Sequence, residues 1–242
     1  MMRRESRFAY TCNRCGLCCR DQVITLSPYD VLRIARATGL STGAAVRRYT
    51  RRRGSLLRFN ADGRCAALDG AACTIHPGRP LACRLYPLGL ERAPDGSEVY
   101  VRLEPVAGSR GAYGDHGTVA DFLADQGIGD DLKANDQYRA LLAQLRERIN
   151  ELVDFDRVEP REFWRVAARE ALAEADYDPN RLIEALFDAD SCGGAADGAD
   201  AVGAHCRSLE RMIASERDPA LLAAAGIMLA VSLGLSPRVL AA

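Results

Sequence analysis

The pattern of apolar and polar positions changes along the chain of 242 residues. Up to about residue 117, short apolar segments are separated by glycine and proline. Beyond that point, apolar residues recur at three- and four-residue spacing, as on one face of an α-helix. The sequence therefore predicts an α+β protein with a loop-rich first part of short helices and hairpins at 1–110 and a mostly helical region at 111–242. A glycine-rich loop at 108–117 is predicted to separate them.

The first part opens with a predicted short strand at 21–26 and two predicted helices. Ser27 fits the N-cap of the first helix, Pro28 fits its first position, and Gly39 fits its end. A second helix is expected at 41–54, with Ser41 as its cap and Gly54 as its end.

Two hairpins and a short helix are predicted to complete the first part. One hairpin should turn at Asp69-Gly70, and the other should turn around 93–96. Pro80 suits the first position of the short helix, which Pro87 would end.

The second part should consist of consecutive helices. Thr118 is the predicted cap of the first, and a long amphipathic helix is predicted at 132–155. Further helices are expected at 159–175, 178–190, 201–216 and 218–235. Asp-Pro pairs open two of these helices, and a flexible loop is expected at 192–201.

Composition narrows the class of protein. Apolar residues make up 48% and charged residues 27%, as in a soluble globular protein, and the net charge is −1. No apolar run is long enough to span a bilayer, and the first residues contain no stretch of signal-peptide type. We therefore expect a cytoplasmic protein with no membrane partner. The arginine-rich segment 47–53 suggests nucleic-acid binding as one interpretation. A helix face that is solvated or docked against acidic residues is the favoured one.

Cysteine usage is the strongest chemical signal. The chain has nine cysteines, and seven of them lie in the first 83 residues, four within the run "CNRCGLCC". In a reducing compartment, clustered cysteines are more often metal ligands than disulfides. A disulfide between the neighbours Cys18 and Cys19 would need a strained ring. A redox dithiol would face competition from the adjacent thiols, and a catalytic cysteine needs no such companions. Metal binding is the remaining interpretation.

Local geometry agrees with a metal site. Cys12, Cys15 and Cys18 step by three, so a 3₁₀-like turn would direct their sulfurs to one side, and Gly16 permits a positive φ. We expect Cys18 and Cys19 to point in different directions.

The later thiols lie on the predicted hairpin and the predicted short helix. A two-residue hairpin turn would place Cys65 and Cys73 on opposite faces, and a bulged loop would place them on one face. The helix dipole and two flanking arginines should favour the thiolate of Cys83, and His76 is an alternative ligand or a turn residue. Zinc and an iron–sulfur cluster both take four thiolates, and spacing leaves this choice open.

The joint pattern "CNRCGLCC", a later Cys, and "CTIHPGRPLACRLYP" resembles the CxxCxxCC cysteine-cluster family, the YkgJ-like zinc- or iron-chelating domain, over about residues 8–106. The resemblance implies metal ligation by Cys12, Cys15, Cys18, Cys19, Cys65, Cys73 and Cys83. The family includes flagellin lysine N-methylases that use S-adenosylmethionine and a four-iron cluster, which favours a 4Fe-4S cluster here. A structural zinc domain and an iron–sulfur-dependent methyltransferase are the alternatives. No glycine-rich fingerprint for S-adenosylmethionine is present, so whether the protein is an enzyme stays open.

The remaining candidates have plainer interpretations. Trp164 and Tyr138 are expected to pack in the helical region, and Cys192 and Cys206 are expected to be spare thiols. His116, in the predicted glycine-rich loop, is the better functional candidate among the other histidines. A protein partner is compatible with a metal domain of this kind.

Overall fold

A computed structural model describes residues 1–92, 97–173, 180–193 and 200–240. These residues form the predicted α+β fold, with α-helices and small antiparallel strand pairs. The strands are β1 (Arg7–Thr11), β2 (Thr50–Arg51), β3 (Leu56–Leu57), β4 (Leu68–Asp69), β5 (Ala72–Cys73), β6 (Leu88–Arg92), β7 (Glu98–Arg102) and β8 (Ala112–Thr118). The helices are α1 (Pro28–Thr38), α2 (Thr42–Tyr49), α3 (Leu81–Leu85), α4 (Val119–Asp125), α5 (Gly129–Leu152), α6 (Pro160–Ala171), α7 (Arg181–Ala185), α8 (Ala201–Ser215) and α9 (Pro219–Ser232).

Helix α1 has the predicted boundaries. Ser27 accepts a hydrogen bond from the backbone N–H of Asp30, whose carboxylate accepts from the backbone N–H of Ser27 in return, so the two form a capping box. Gly39 ends the helix with a φ of 67°. Helix α2 is shorter than predicted because the chain leaves it at Thr50 to form β2. Gly54 therefore lies in the turn between β2 and β3 and does not end the helix.

Two other predictions for the first part were wrong in detail. Segment 21–26 is not a strand, because β3 is only two residues long and offers it a single bridge, between Thr25 and Leu56. The first hairpin pairs Asp69 with Ala72, so its turn residues are Gly70-Ala71 and not Asp69-Gly70. The second hairpin, β6–β7, is confirmed, although its turn at 93–96 falls outside the described residues.

The predicted glycine-rich loop at 108–117 is largely a strand. From Ala112 onward it forms β8, which pairs with β1 in an antiparallel register that places Tyr10 opposite Tyr113. Aromatic contacts explain why this glycine-rich segment is ordered: the ring of Tyr113 lies 5.2 Å from that of Tyr10 and 6.1 Å from that of Phe8. The N-terminal strand is thereby joined to the segment that leads into the helical region.

The helical region follows the predicted order. Thr118 and Asp121 form a capping box at α4, and α5 extends over 24 residues. Asp218 caps α9 as its Asp-Pro signal predicts. The other Asp-Pro pair and residues 194–199 of the predicted flexible loop lie outside the described residues. None of the helices in the described ranges has the length and apolar character needed to cross a bilayer.

The apolar core runs through both halves of the chain. Its largest cluster joins buried residues of α1 and α2 to those of α5 and α9, with Ile34 and Leu145 among those cut off from solvent. A second cluster joins Phe8 and Tyr100 to Phe122 of α4. The division at residues 110 and 111 stays a prediction about folding units, and the shared core positions the cysteine-rich segments against the helices.

Candidate metal centre

All seven N-terminal cysteines line one cavity of about 660 Å³. They come from three stretches that are distant in sequence: the crowded loop that follows β1, the segment around the β4–β5 hairpin, and helix α3. The crowded loop contributes Cys12, Cys15, Cys18 and Cys19, the hairpin segment contributes Cys65 and Cys73, and α3 contributes Cys83. The fold therefore assembles around one space the thiols that the sequence singled out.

The crowded loop folds back on the hairpin segment. Gly16 has a φ of 75°, and residues Leu17–Cys19 form the expected 3₁₀ turn. The backbone N–H of Cys65 donates to the carbonyl of Cys19 at 3.0 Å, which ties the two segments together directly beside the cavity. On the other side, Gly16 lies against Leu68 of β4, which a Cβ at position 16 would meet at 3.8 Å.

Cys65 and Cys73 share the cavity because Cys65 lies outside the hairpin ladder. Leu68, not Cys65, pairs with Cys73, and the backbone N–H of Leu68 donates to the carbonyl of Cys65 at 2.9 Å in a turn. The turn redirects the chain before β4 begins. A two-residue hairpin therefore does not force the two sulfurs onto opposite faces.

Helix α3, which carries Cys83, is held at its start by α1. The backbone N–H of Leu81 donates to Oδ1 of Asp30 at 2.7 Å, while Oδ2 of the same carboxylate completes the cap of α1. Pro80 is the N-cap of α3, one position earlier than predicted. A single buried carboxylate thus fixes the first turns of two helices, and burial raises its pKa.

Cys18 and Cys19 lie close enough to influence each other's pKa. The side chain of Cys19 lowers the pKa of Cys18 to about 7. The side chain of Cys18, then burial, then the thiols of Cys83 and Cys65 raise the pKa of Cys19. The expectation that the two side chains point in different directions stays a prediction.

Cys15 lies at the outer end of the cavity. Backbone N–H groups of Arg110 and Leu17 hydrogen-bond to its sulfur and lower its pKa. The side chain of Asn13 also donates to the carbonyl of Arg110, so the stretch before β8 covers this end of the crowded loop. Cys12 is exposed beside it.

The thiols of the inner wall are neutral because burial dominates. Burial raises the pKa of Cys65, Cys73 and Cys83. For Cys83 this overturns the expectation that the helix dipole and two arginines favour its thiolate. Helix α3 is only five residues long, and Arg84 forms an ion pair with the carboxylate of Asp131.

The cysteines are gathered but not yet in coordinating positions. All nine are free thiols, each of them within the described residues. In that same part of the chain, no three His, Cys, Asp or Glu side chains form a group arranged to hold a metal ion. The donor set nevertheless suits a thiolate-bound metal in its chemistry, since soft sulfur ligands predominate and lie close enough to change one another's pKa.

The other candidates lie away from this cavity. Cys192 donates to the carbonyl of Ala189 at 3.3 Å, and Cys206 is buried in the helical region. His116 is an exposed residue of β8. His76 does line the cavity, and burial, then the charges of Arg79 and Arg14, lower its pKa, which favours the neutral imidazole.

The arginine-rich segment at 47–53 is partly docked within the protein. Arg53 is buried and forms an ion pair with Glu170 of α6 at 3.3 Å. This contact agrees with the acid-docked interpretation of the segment.

Sequence reasoning missed the part played by Asp131. This residue of α5 is 2% exposed, accepts from Nη1 of Arg33 at 3.0 Å and forms an ion pair with Arg84. Arg84 also donates to the carbonyl of Gln126 at 2.8 Å. The acidic first turn of α5 was visible in the sequence, but acidic residues are common at helix starts and do not by themselves reveal a buried partner.

Comparison with known proteins agrees with the chemistry of this cavity. Residues 11–101 match a family model described as "CxxCxxCC: Putative zinc- or iron-chelating domain". Searches of curated proteins and of solved structures gave no match. The matched stretch contains the seven cysteines of the cavity together with α1, the β4–β5 hairpin and α3. Residues 11–101, less than half of the chain, are therefore similar to the zinc- or iron-chelating domain that this family model describes.

Proposed function

We propose that the cysteine cavity holds an iron–sulfur cluster, most simply one 4Fe-4S cluster, through four of its seven thiolates. The observation that carries the proposal is the convergence of three sequence-distant cysteine segments on one cavity. The C-x₂-C-x₂-C spacing within the crowded loop is also the spacing with which ferredoxins provide three of four cluster ligands.

The thiols of the cavity form two groups in this proposal. Cys18, Cys19, Cys65, Cys73 and Cys83 form an inner group, whose members influence one another's pKa. Cys12, which is exposed, and Cys15, which is half-buried, form a second group. Loading requires the chosen sulfurs to lose their protons and move closer together, which side-chain rotation within a cavity of this size permits.

Zinc is the second candidate, and one observation favours it. Cys18, Cys83 and Cys65 all raise the pKa of Cys19, so these thiols lie near one another, and a tetrahedral zinc site takes four ligands. Such a zinc would act as a structural staple for a cavity whose walls are loops and short elements. The protein would then bind metal without redox chemistry.

Anaerobic purification with metal and sulfide analysis distinguishes these candidates. A cluster predicts about four iron and four sulfide per chain and a broad absorption near 400 nm that bleaches on reduction. A colourless protein with stoichiometric zinc would replace the iron proposal by the zinc one. A chain that retains neither metal, even after anaerobic reconstitution, would contradict both.

Replacing single cysteines tests whether the distant segments contribute ligands. Cys83→Ser should lose most of the bound metal, because it removes an inner thiol supplied by α3. Cys192→Ser is the matched control: it is also a half-buried thiol, but it lies outside the cavity and should load as the wild type does. Equal loading of the two variants would remove Cys83 from the proposed ligand set.

A further inference from the structure

Arg79 lies at a fixed point of the cavity wall. It follows a 3₁₀ turn, His76–Gly78, that packs tightly on α1, where a Cβ on Gly78 would collide with the carbonyl oxygen of Arg33. The side chain of Arg33 clamps the same turn, donating to the carbonyl of Pro77 at 2.8 Å and to that of Arg79 at 3.2 Å. The backbone from which the Arg79 side chain extends is therefore held in place from two sides.

The side chain of Arg79 lines the cysteine cavity and carries an unmet donor. Its Nε is cut off from solvent, and within the described ranges of the chain no hydrogen-bond acceptor, sulfur included, is in position to receive it. A buried donor without an acceptor is costly, about 1–3 kcal/mol and more when the group is charged. An arginine in this position is thus suited to an anionic acceptor that arrives in the cavity.

The thiols are the groups on which its charge acts. Cys18 and Cys73 line the same cavity and lie near enough for the charge of Arg79 to act on both. These two cysteines come from the crowded loop and from the hairpin, so Arg79 faces the junction of two ligand-bearing segments.

The two arginines that flank Cys83 have separate tasks. Arg84 is buried, pairs with Asp131 and donates to backbone carbonyls before α5, so it joins elements of the fold. Both arginines line the cavity, but among the described residues the structure gives the guanidinium of Arg79 neither an ion pair nor a hydrogen bond. Their sequence positions alone made them look equivalent.

We propose that Arg79 is a positioning residue of the metal centre, an inference that rests on the proposed function. In the loaded protein its guanidinium donates hydrogen bonds to metal-bound sulfur of Cys18 or Cys73 and offsets the negative charge of the thiolates. Hydrogen bonds to the sulfurs and local net charge are two of the factors that set the potential of an iron–sulfur cluster. For zinc, the same contact stabilises the ligating thiolates, and loss of such a partner typically weakens metal binding 10–100-fold.

The test compares Arg79→Gln, Arg79→Lys and Arg14→Gln in the full-length protein loaded anaerobically. Arg14 is the matched control because it is a cavity-lining arginine that is exposed to solvent, where its charge is screened. Spectroelectrochemical titration should give Arg79→Gln a more negative reduction potential than the wild type, since a positive charge near the cluster stabilises its reduced form. Arg79→Lys keeps the charge, so its reduction potential should lie between those of the wild type and Arg79→Gln. The potential of Arg14→Gln should differ little from that of the wild type.

The outcomes separate this inference from the proposed function. A wild type that binds no metal contradicts the function itself. In the other case, the wild type binds metal while the reduction potential of Arg79→Gln shifts no more than that of Arg14→Gln. That result overturns only the role of Arg79. If the metal is zinc, chelator competition replaces the titration, and at least tenfold weaker retention by Arg79→Gln than by Arg14→Gln is the supporting result.

Discussion

At the scale of single residues, burial decides the chemical state of most titratable groups that matter here. His205 is fully buried, with its Nε2 donating to the carbonyl of Ala185 at 2.7 Å and its Nδ1 lying 2.8 Å from the hydroxyl oxygen of Tyr138. A carbonyl can only accept, so Nε2 carries a proton, and a neutral ring then accepts at Nδ1 from the Tyr138 hydroxyl. Burial lowers the pKa of His205, against the opposing effect of the Ala185 carbonyl and of nearby carboxylates.

His205 should make stability depend on pH. Its pKa is lower in the folded state than the unfolded value of about 6.5, so below that pH the unfolded chain binds the proton more readily. The free energy of unfolding should therefore fall as the pH decreases from 7 to 5. His205→Gln should reduce this dependence in denaturant titrations at each pH, and His116→Gln, at an exposed position, should leave it unchanged. Equal pH profiles for the two variants would contradict the buried neutral state.

At the scale of elements, α1 is the support on which the cysteine-bearing pieces are arranged. It caps α3 through Asp30, and it holds the His76–Gly78 turn through Arg33. Arg33 and Arg84 then connect this assembly to Asp131 at the start of α5. The position of Cys83 thus depends on polar contacts that reach from one half of the chain to the other.

Asp131→Asn should be strongly destabilising. It removes the carboxylate shared by two poorly exposed arginines, and breaking a buried ion pair typically costs about 3–5 kcal/mol. Asp130→Asn is the control, because its pair with Lys133 spans 3.8 Å and both side chains are about 80% exposed. The control should change the free energy of unfolding by less than about 0.5 kcal/mol. Similar losses for both variants in chemical denaturation would count against the Asp131 network.

Gly78→Ala should loosen the turn that precedes Arg79. The added methyl group would meet the Arg33 carbonyl and the Ala37 side chain, so α1 and the turn must separate, at a cost of about 1–3 kcal/mol. Gly129→Ala, at the first residue of α5 with open space around it, should be neutral or slightly stabilising. The two melting temperatures measure the difference, and a Gly78→Ala variant as stable as Gly129→Ala would show that the contact is not tight.

Local signals in the sequence were sufficient to predict where the capped helices begin. Ser27, Thr118 and Asp218 each cap a helix where their side chains predict it, because capping depends on residues within one turn. Strands were harder to predict, since strand pairing depends on partners that are distant in sequence. Segment 21–26 has only one bridge to another strand, whereas segment 112–118 pairs with β1. The grouping of seven cysteines on one cavity could be inferred from their number and spacing. The mutual influence of Cys18 and Cys19 on their pKa values and the different contacts of Arg79 and Arg84 required the tertiary structure.

At the scale of the whole molecule, the cysteine-bearing first part and the helices share a core. Buried residues of α1 and α2 lie in one cluster with those of α5 and α9, and Trp164 of α6 packs at the edge of that cluster. Binding that favours the folded state of one part of a shared core stabilises the rest as well.

Metal removal should therefore destabilise the helical region. Trp164 reports on it from a position more than 80 residues beyond the last cavity cysteine in sequence. After anaerobic chelation, the melting temperature from tryptophan fluorescence should fall together with that from far-ultraviolet circular dichroism. A fluorescence transition unmoved by chelation would indicate that the helices fold independently of the metal.

X-ray absorption at the edge of whichever metal co-purifies tests the central claim most directly, because it reports the nearest neighbours of the metal. The account predicts a first shell made of sulfur, at about 2.3 Å if the metal is zinc, that is lost or reduced in Cys83→Ser and retained in Cys192→Ser. A first shell of oxygen and nitrogen alone would contradict it.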